Sequence, residues 1–138
     1  MSEHSVLILS DKDESSQAWL DAFHQRGLQA ESVPSAASAL DRWQAAAPML
    51  TVVDLSLPVE ESLQICRDLR ALGGAPILLI LPSASGNVIL EAHRAGVTEC
   101  LIQPASPAVI LLKALAWSMR AGWAWPVSGP ISPMGFSE

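Results

Sequence analysis

The sequence predicts an α/β fold, a doubly wound five-stranded parallel sheet with helices on both faces. Three observations carry that expectation. Short β-like runs alternate strictly with helix-length amphipathic segments, an order that favours parallel strands joined by right-handed crossovers. The run Ile77 to Leu81 is wholly apolar, as a strand buried on both faces of a parallel sheet must be. Finally, 50% of the 138 residues are hydrophobic and only 16% are charged, which suits a single domain with a real core and argues against disorder.

Each element has its own reason. Val6 to Ser10 is an apolar β-type run that stops at the polar cluster from Asp11. Ser15 to Arg26 follows as a helix, with Trp19, Leu20 and Phe23 at helical spacing and Gly27 as its stop. Gln29 to Val33 is a weaker strand broken by Pro34. Ser35 or Ser38 caps a second helix that runs through Ala46 and packs by Leu40 and Trp43. Met49 to Asp54 is the third strand. Glu61 to Leu72 is a helix with Leu63, Ile65 or Cys66, and Leu69 on one side, ended by Gly73 and Gly74. Ile77 to Leu81 is the fourth strand, Asn87 to Ala95 a helix stopped by Gly96, Glu99 to Ile102 the fifth strand, and Ser106 to Arg120 the last helix. Residues 1–121 are thus expected to form the domain. Residues 122–138 form a Trp-, Pro- and Gly-rich tail that cannot continue a helix past Pro126, either a linker or a segment docked through its Trp side chains.

Charge narrows the function. A net charge of −6 without any Lys/Arg cluster speaks against sequence-independent binding to nucleic acid, which rests on neutralising phosphates. The longest apolar stretch, within Ala105 to Met119, is shorter than a membrane span and is interrupted by Lys113. Met1 to His4 lacks the features of a secretory signal. Cys66 and Cys100 are too few for a disulfide framework and read as packing, while His4, His24 and His93 show no ligand spacing. A cytoplasmic protein with no membrane or nucleic-acid partner is expected.

Two carboxylates stand out. Asp54 ends the β-branched run Thr51-Val52-Val53 and precedes a loop stopped by Pro58, and Asp11 directly follows the first run. The carboxyl end of a buried strand is a poor place to pack an acid and a good place for chemistry, because open α/β sheets bind ligands in the crevice there. If the two strands are parallel and adjacent, the carboxylates converge on a small acidic pocket. Taken alone, the loop Asp11-Lys12-Asp13-Glu14 also reads as a solvated helix start that suits the helix dipole.

From about Val6 to Arg120 the chain resembles the receiver domains of bacterial two-component response regulators. The segment Asp54-Leu55-Ser56-Leu57-Pro58 is similar to the family's phospho-acceptor loop. Ala95-Gly96-Val97-Thr98-Glu99 is similar to the turn before its last strand, Gln103-Pro104 stands where the family has Lys-Pro, and Pro76 opens the fourth strand. The resemblance implies a phosphorelay module, not an enzyme, whose Asp54 accepts a phosphoryl group from a sensor histidine kinase. It implies a magnesium ion held by Asp11, Asp54 and the backbone carbonyl of Ser56, a donor set that suits a hard cation. It also exposes three departures. Ser10 replaces the first of two acids, Leu81 replaces a hydroxyl residue, and Gln103 replaces a lysine. In the family, the hydroxyl and the lysine grip the phosphoryl group. Leucine has no donor, and glutamine keeps a donor without the charge that roughly doubles such a bond. Weak magnesium binding and poor switching are therefore expected. Ser83 or Ser85 could supply a hydroxyl, and Asp13 an acid, if their loops are shifted.

The last helix is apolar nearly all round from Val109 to Trp117, where a surface helix should show one stripe. A homodimer or partner interface is expected there, including Ile110, Leu111 and Trp117. Two other functions compete with the phosphorylated receiver. One is a pseudo-receiver that acts by dimerisation or protein binding without phosphorylation. The other is a flavodoxin-like cofactor protein, which the acidic loop after the first strand disfavours because it would repel a phosphate.

Overall fold

The computed structural model describes residues 5–83 and 85–120, with side chains described as far as Trp117. Ten elements alternate along the chain: β1 (Ser5–Ser10), α1 (Asp13–Gln25), β2 (Gln29–Val33), α2 (Ala36–Ala45), β3 (Leu50–Asp54), α3 (Val59–Arg70), β4 (Ile77–Leu81), α4 (Gly86–Arg94), β5 (Glu99–Ile102) and α5 (Pro107–Arg120). The five strands form one parallel sheet in the order β2-β1-β3-β4-β5. The chain moves outward from β1 to β2, then returns past β1 to β3. The β1/β3 boundary is therefore the topological switch point, where a crevice opens at the carboxyl ends of the strands.

Alternation along the strands sorts the core into two layers. Leu7, Leu9, Val53, Leu79 and Leu81 face α2, α3 and α4, where they meet Trp43, Leu63, Cys66, Leu69 and Ala92. Val6, Ile8, Val52, Leu78 and Ile80 face α1 and α5, where they meet Trp19, Phe23, Ile110 and Ala114. Inside the first layer, the Trp43 indole N–H donates to Thr51 Oγ1 at 2.9 Å, so a buried hydroxyl on β3 is satisfied. Cys66 belongs to that layer, and burial pushes its thiol up to about 12, as befits an inert packing residue.

Most of the expected boundaries hold, and the differences have local causes. Ser35, not Ser38, caps α2 by accepting the Ser38 N–H. α1 starts at Asp13, earlier than Ser15, with Asp13 and Glu14 in the first turn where the helix dipole favours acids. α3 likewise starts directly after Pro58. Gly27 and Gly96 adopt the left-handed conformation expected of helix stops (φ 79° and 95°), whereas Gly73 and Gly74 do not. The turn after α3 is held instead by Arg70, whose guanidinium donates to the carbonyls of Gly73, Ala75 and Gly96.

The last helix corrects one expectation. Ile110 is fully buried, since it and Ala114, one turn on, face the sheet and α1. It is a core residue and cannot belong to an interface. Leu111 and Trp117 are half-buried, while Val109 and Leu112 are exposed. Lys113, the one charge in this run, pairs with Glu99 on β5. No helix among the described residues is long and apolar enough to cross a membrane. The tail from residue 122 lies outside the described residues.

Candidate functional site

Ser10 and Asp54 are direct partners in the β1/β3 register, so the two strands deliver Asp54 and the adjoining Asp11 to the same end of the sheet. The pleat aims the two carboxylates differently. Asp54 is nearly buried, with its side chain 4% exposed. Its Oδ1 accepts two hydrogen bonds, from Lys12 Nζ at 2.6 Å and from Gln103 Nε2 at 3.0 Å. Asp11 is exposed and turns to the β3–α3 loop. Its two carboxylate oxygens accept the Ser56 backbone N–H at 3.1 and 2.9 Å, and Oδ1 also accepts the Ser56 hydroxyl at 3.3 Å.

Lys12 reaches Asp54 because the β1–α1 turn is tied down. Ser10 Oγ accepts the Lys12 backbone N–H at 3.0 Å and donates back to the Lys12 carbonyl at 3.4 Å. The same carbonyl accepts the Ser16 N–H at 3.1 Å, closing the first turn of α1. Gln103 is positioned by backbone pairing, its N–H donating to the Leu81 carbonyl at 2.7 Å, just past the end of β5. The following Gln103–Pro104 peptide is cis. Trp19 then pins the β5–α5 loop, its indole N–H donating to the Ala105 carbonyl at 3.2 Å.

These residues surround an open cavity of about 250 Å³, lined by Lys12, Ser15, Trp19, Asp54, Ile80, Gln103, Pro104 and Ala105. One end is polar, at Asp54, Lys12 and Gln103. The other is walled by the Trp19 indole and Ile80. A phosphoryl-sized group has room beside the Asp54 carboxylate, whose Oδ1 already holds an ammonium and an amide N–H.

The structure thus brings Asp54, Gln103, Asp11 and Ser56 to one end of the sheet and leaves Leu81 aside. Leu81 is 2% exposed and points into the α2/α3/α4 layer, away from the cavity. Neither Ser83 nor Ser85 lines the cavity: Ser85 Oγ caps α4 by accepting the Val88 N–H, and Ser83 is exposed. Asp13 begins α1 on the exposed side. Lys12 is the partner of Asp54 that sequence reasoning missed. It sits in an acidic run that reads as solvated, and the available signal was its place two residues past a strand end, next to a site short of a cation. Exposed apolar residues were also missed at the β5 edge, where Ile89 and Leu90 on α4 and Ile102 on β5 accompany Val109 and Leu112. Among the described residues no group of three or more His, Cys, Asp or Glu side chains is placed to hold a metal ion. A cation here would depend on two carboxylates supplemented by backbone oxygen and water.

Comparison with known proteins agrees with this fold. Residues 6–115 match the response regulator receiver domain family. The transcriptional regulatory protein CseB of Streptomyces avermitilis is 25% identical over 127 residues, which is 92% of this chain and 53% of CseB. The chain thus spans about half the length of that relative. A two-component response regulator from Clostridium difficile superposes with a TM-score of 0.77 at 18% identity, covering 86% of this chain and 98% of the other. A response regulator protein from Burkholderia pseudomallei, whose crystal structure holds a phosphorylated aspartic acid, a calcium ion and citrate, superposes with a TM-score of 0.70 at 22% identity, covering 86% of this chain and 72% of that one. At such identities the structural likeness speaks for the fold, and the match over residues 6–115 speaks for the family. By that match the chain belongs to the response regulator receiver domains, the receiver modules of two-component systems.

Proposed function

We propose that Asp54 accepts a phosphoryl group from a sensor histidine kinase and that the domain reads this group through an altered set of donors. The observation that carries the proposal is the placement of a nearly buried carboxylate at the switch point of the sheet, beside an open cavity and between two N–H donors. In an in-line transfer, an Asp54 oxygen attacks phosphorus as the donor's leaving group departs on the opposite side. The Burkholderia pseudomallei relative, with its phosphorylated aspartic acid and calcium ion, supports the analogy.

The residues present fit a magnesium ion in kind. Asp11 and Asp54 would offer hard carboxylate oxygens from adjoining strand ends, with the backbone carbonyl of Ser56 as a third donor and water for the rest. Bound there, magnesium supplies neutralisation of charge during transfer. The chain itself orients the acceptor through Lys12 and Gln103 and shields it with Trp19 and Ile80. The damaged part is the readout. Leu81 has no donor and Gln103 has no charge, so the pull on the β4–α4 loop is missing. Output through protein contact follows, at the β5 edge and α5, with Leu111 and Trp117 as interface candidates beside the exposed Val109 and Leu112. A homodimer is one such contact. The burial of Leu81 also favours a second reading, a pseudo-receiver whose contacts form without phosphorylation.

Beryllofluoride, a phosphoryl mimic, tests the proposal when added with magnesium to isotope-labelled protein. Amide resonances of Lys12, Asp54 and Gln103 are expected to move, the Asp54→Asn protein is expected to be unresponsive, and α5 is expected to stay nearly still. An unresponsive wild type would remove the acceptor reading and leave the pseudo-receiver. Large movements along Val109 to Leu112 would show an intact switch and remove the altered readout.

A further inference from the structure

We propose that Lys12 is a built-in cation of the acceptor site and competes with a divalent metal ion for the Asp54 carboxylate. The inference rests on the reading of Asp54 and Asp11 as a cation-binding pair and adds a residue that sets how tightly the cation is held.

Four observations support it. Lys12 Nζ lies 2.6 Å from Asp54 Oδ1, with side chains 30% and 4% exposed respectively. Exposed ion pairs are usually worth little because water screens them and both side chains must be ordered. Here the acid is almost fully removed from water, which weakens the screening. The lysine backbone is fixed by Ser10 Oγ at its N–H and its carbonyl and by the Ser16 N–H, so the ammonium is delivered by a rigid turn. Gln103 shares the same oxygen but brings no charge, leaving the ammonium as the positive group in contact with Asp54. Asp11, the second carboxylate, is already turned to Ser56. Asp54, Asp11 and Lys12 together carry a single net negative charge.

A divalent ion on Asp54 must therefore share its carboxylate with the ammonium or displace it. Magnesium binds carboxylate oxygen at about 2.0–2.1 Å and demands near-octahedral geometry, so it tolerates little crowding by a second cation on that group. A unit charge a few ångströms from a divalent ion repels it by an amount worth about one power of ten in binding where water still screens the pair. Neutralising Lys12 should therefore raise divalent affinity about tenfold.

The experiment is calorimetric titration of Mn²⁺ and Mg²⁺ into the full chain as wild type, Lys12→Met, Lys12→Arg and Lys12→Met/Asp54→Asn, each checked by thermal unfolding. Lys12→Met is expected to bind about tenfold more tightly than wild type, Lys12→Arg to stay close to wild type, and the gain to vanish in the double variant. Equal or weaker affinity in Lys12→Met, no binding to either protein, or a gain that survives Asp54→Asn would each overturn the proposal. Phosphoryl transfer is not the readout. A chain that gains metal affinity yet never accepts phosphoryl would refute the acceptor reading and leave the role of Lys12 standing.

Discussion

Trp19→Ala is expected to cost about 3–5 kcal/mol of folding stability, the range for deleting a large buried aromatic side chain. Trp19 is 2% exposed and joins three parts of the molecule. It packs in the layer between α1, the sheet and α5, it donates its indole N–H to the Ala105 carbonyl, and it walls the cavity beside Asp54. Alanine removes the apolar area, opens a void continuous with that cavity and leaves a carbonyl in the β5–α5 loop without its donor. Trp19→Phe isolates the last effect, because it keeps most of the volume, and should cost nearer 1–2 kcal/mol. Urea unfolding of the three proteins measures both. A loss below about 1 kcal/mol for Trp19→Ala would mean that the α1/α5 layer is not packed as described.

Gly96→Ala is expected to cost about 3 kcal/mol, although it adds a single methyl group. Gly96 has φ 95°, a backbone conformation that side chains rarely adopt. A Cβ at that position would lie 2.7 Å from Arg70 Cγ and 2.9 Å from its Cβ and Nε. Those atoms belong to the guanidinium arm that donates to the Gly96, Gly73 and Ala75 carbonyls, so the methyl strains one turn and loosens the tie to the other. The two contributions separate in a double-mutant cycle with Arg70→Ala. Removing the arginine already sacrifices the tie and clears part of the clash, so the double variant should cost clearly less than the sum of the singles. Strict additivity would show that Arg70 and Gly96 act independently.

The element order was legible because the sequence is locally consistent. Ile77 to Leu81 has no polar residue to suggest a one-faced strand, and Ser35, Gly27 and Gly96 punctuate where capping chemistry requires. That Asp11 and Asp54 reach the same end of the sheet was legible only on the condition that β1 and β3 are neighbours, and the register Ser10 to Asp54 meets that condition, although Asp11 turns to Ser56 and Asp54 to Lys12 and Gln103. What the sequence did not disclose are side-chain directions. Ile110 and Leu112 look alike in an apolar run, yet α1 and the sheet bury the first and leave the second 64% exposed. Leu81, which the resemblance sets at a hydroxyl position, is committed to the core by the pleat. Lys12 looked like one charge in a solvated acidic loop. Its direction depends on the Ser10 hydroxyl holding the turn, a bond that no local periodicity reports. Ser10 thus helps to place a lysine beside Asp54.

That Asp54 is a live phosphoryl acceptor is tested most directly by intact-mass spectrometry after incubation with acetyl phosphate and Mg²⁺, with Asp54→Asn treated in parallel. One added phosphoryl group is expected on the wild type, sensitive to hydroxylamine as an acyl phosphate is, and none on the variant. An unmodified wild type, shown to be folded under the same conditions, would contradict it, as would an adduct that persists in Asp54→Asn.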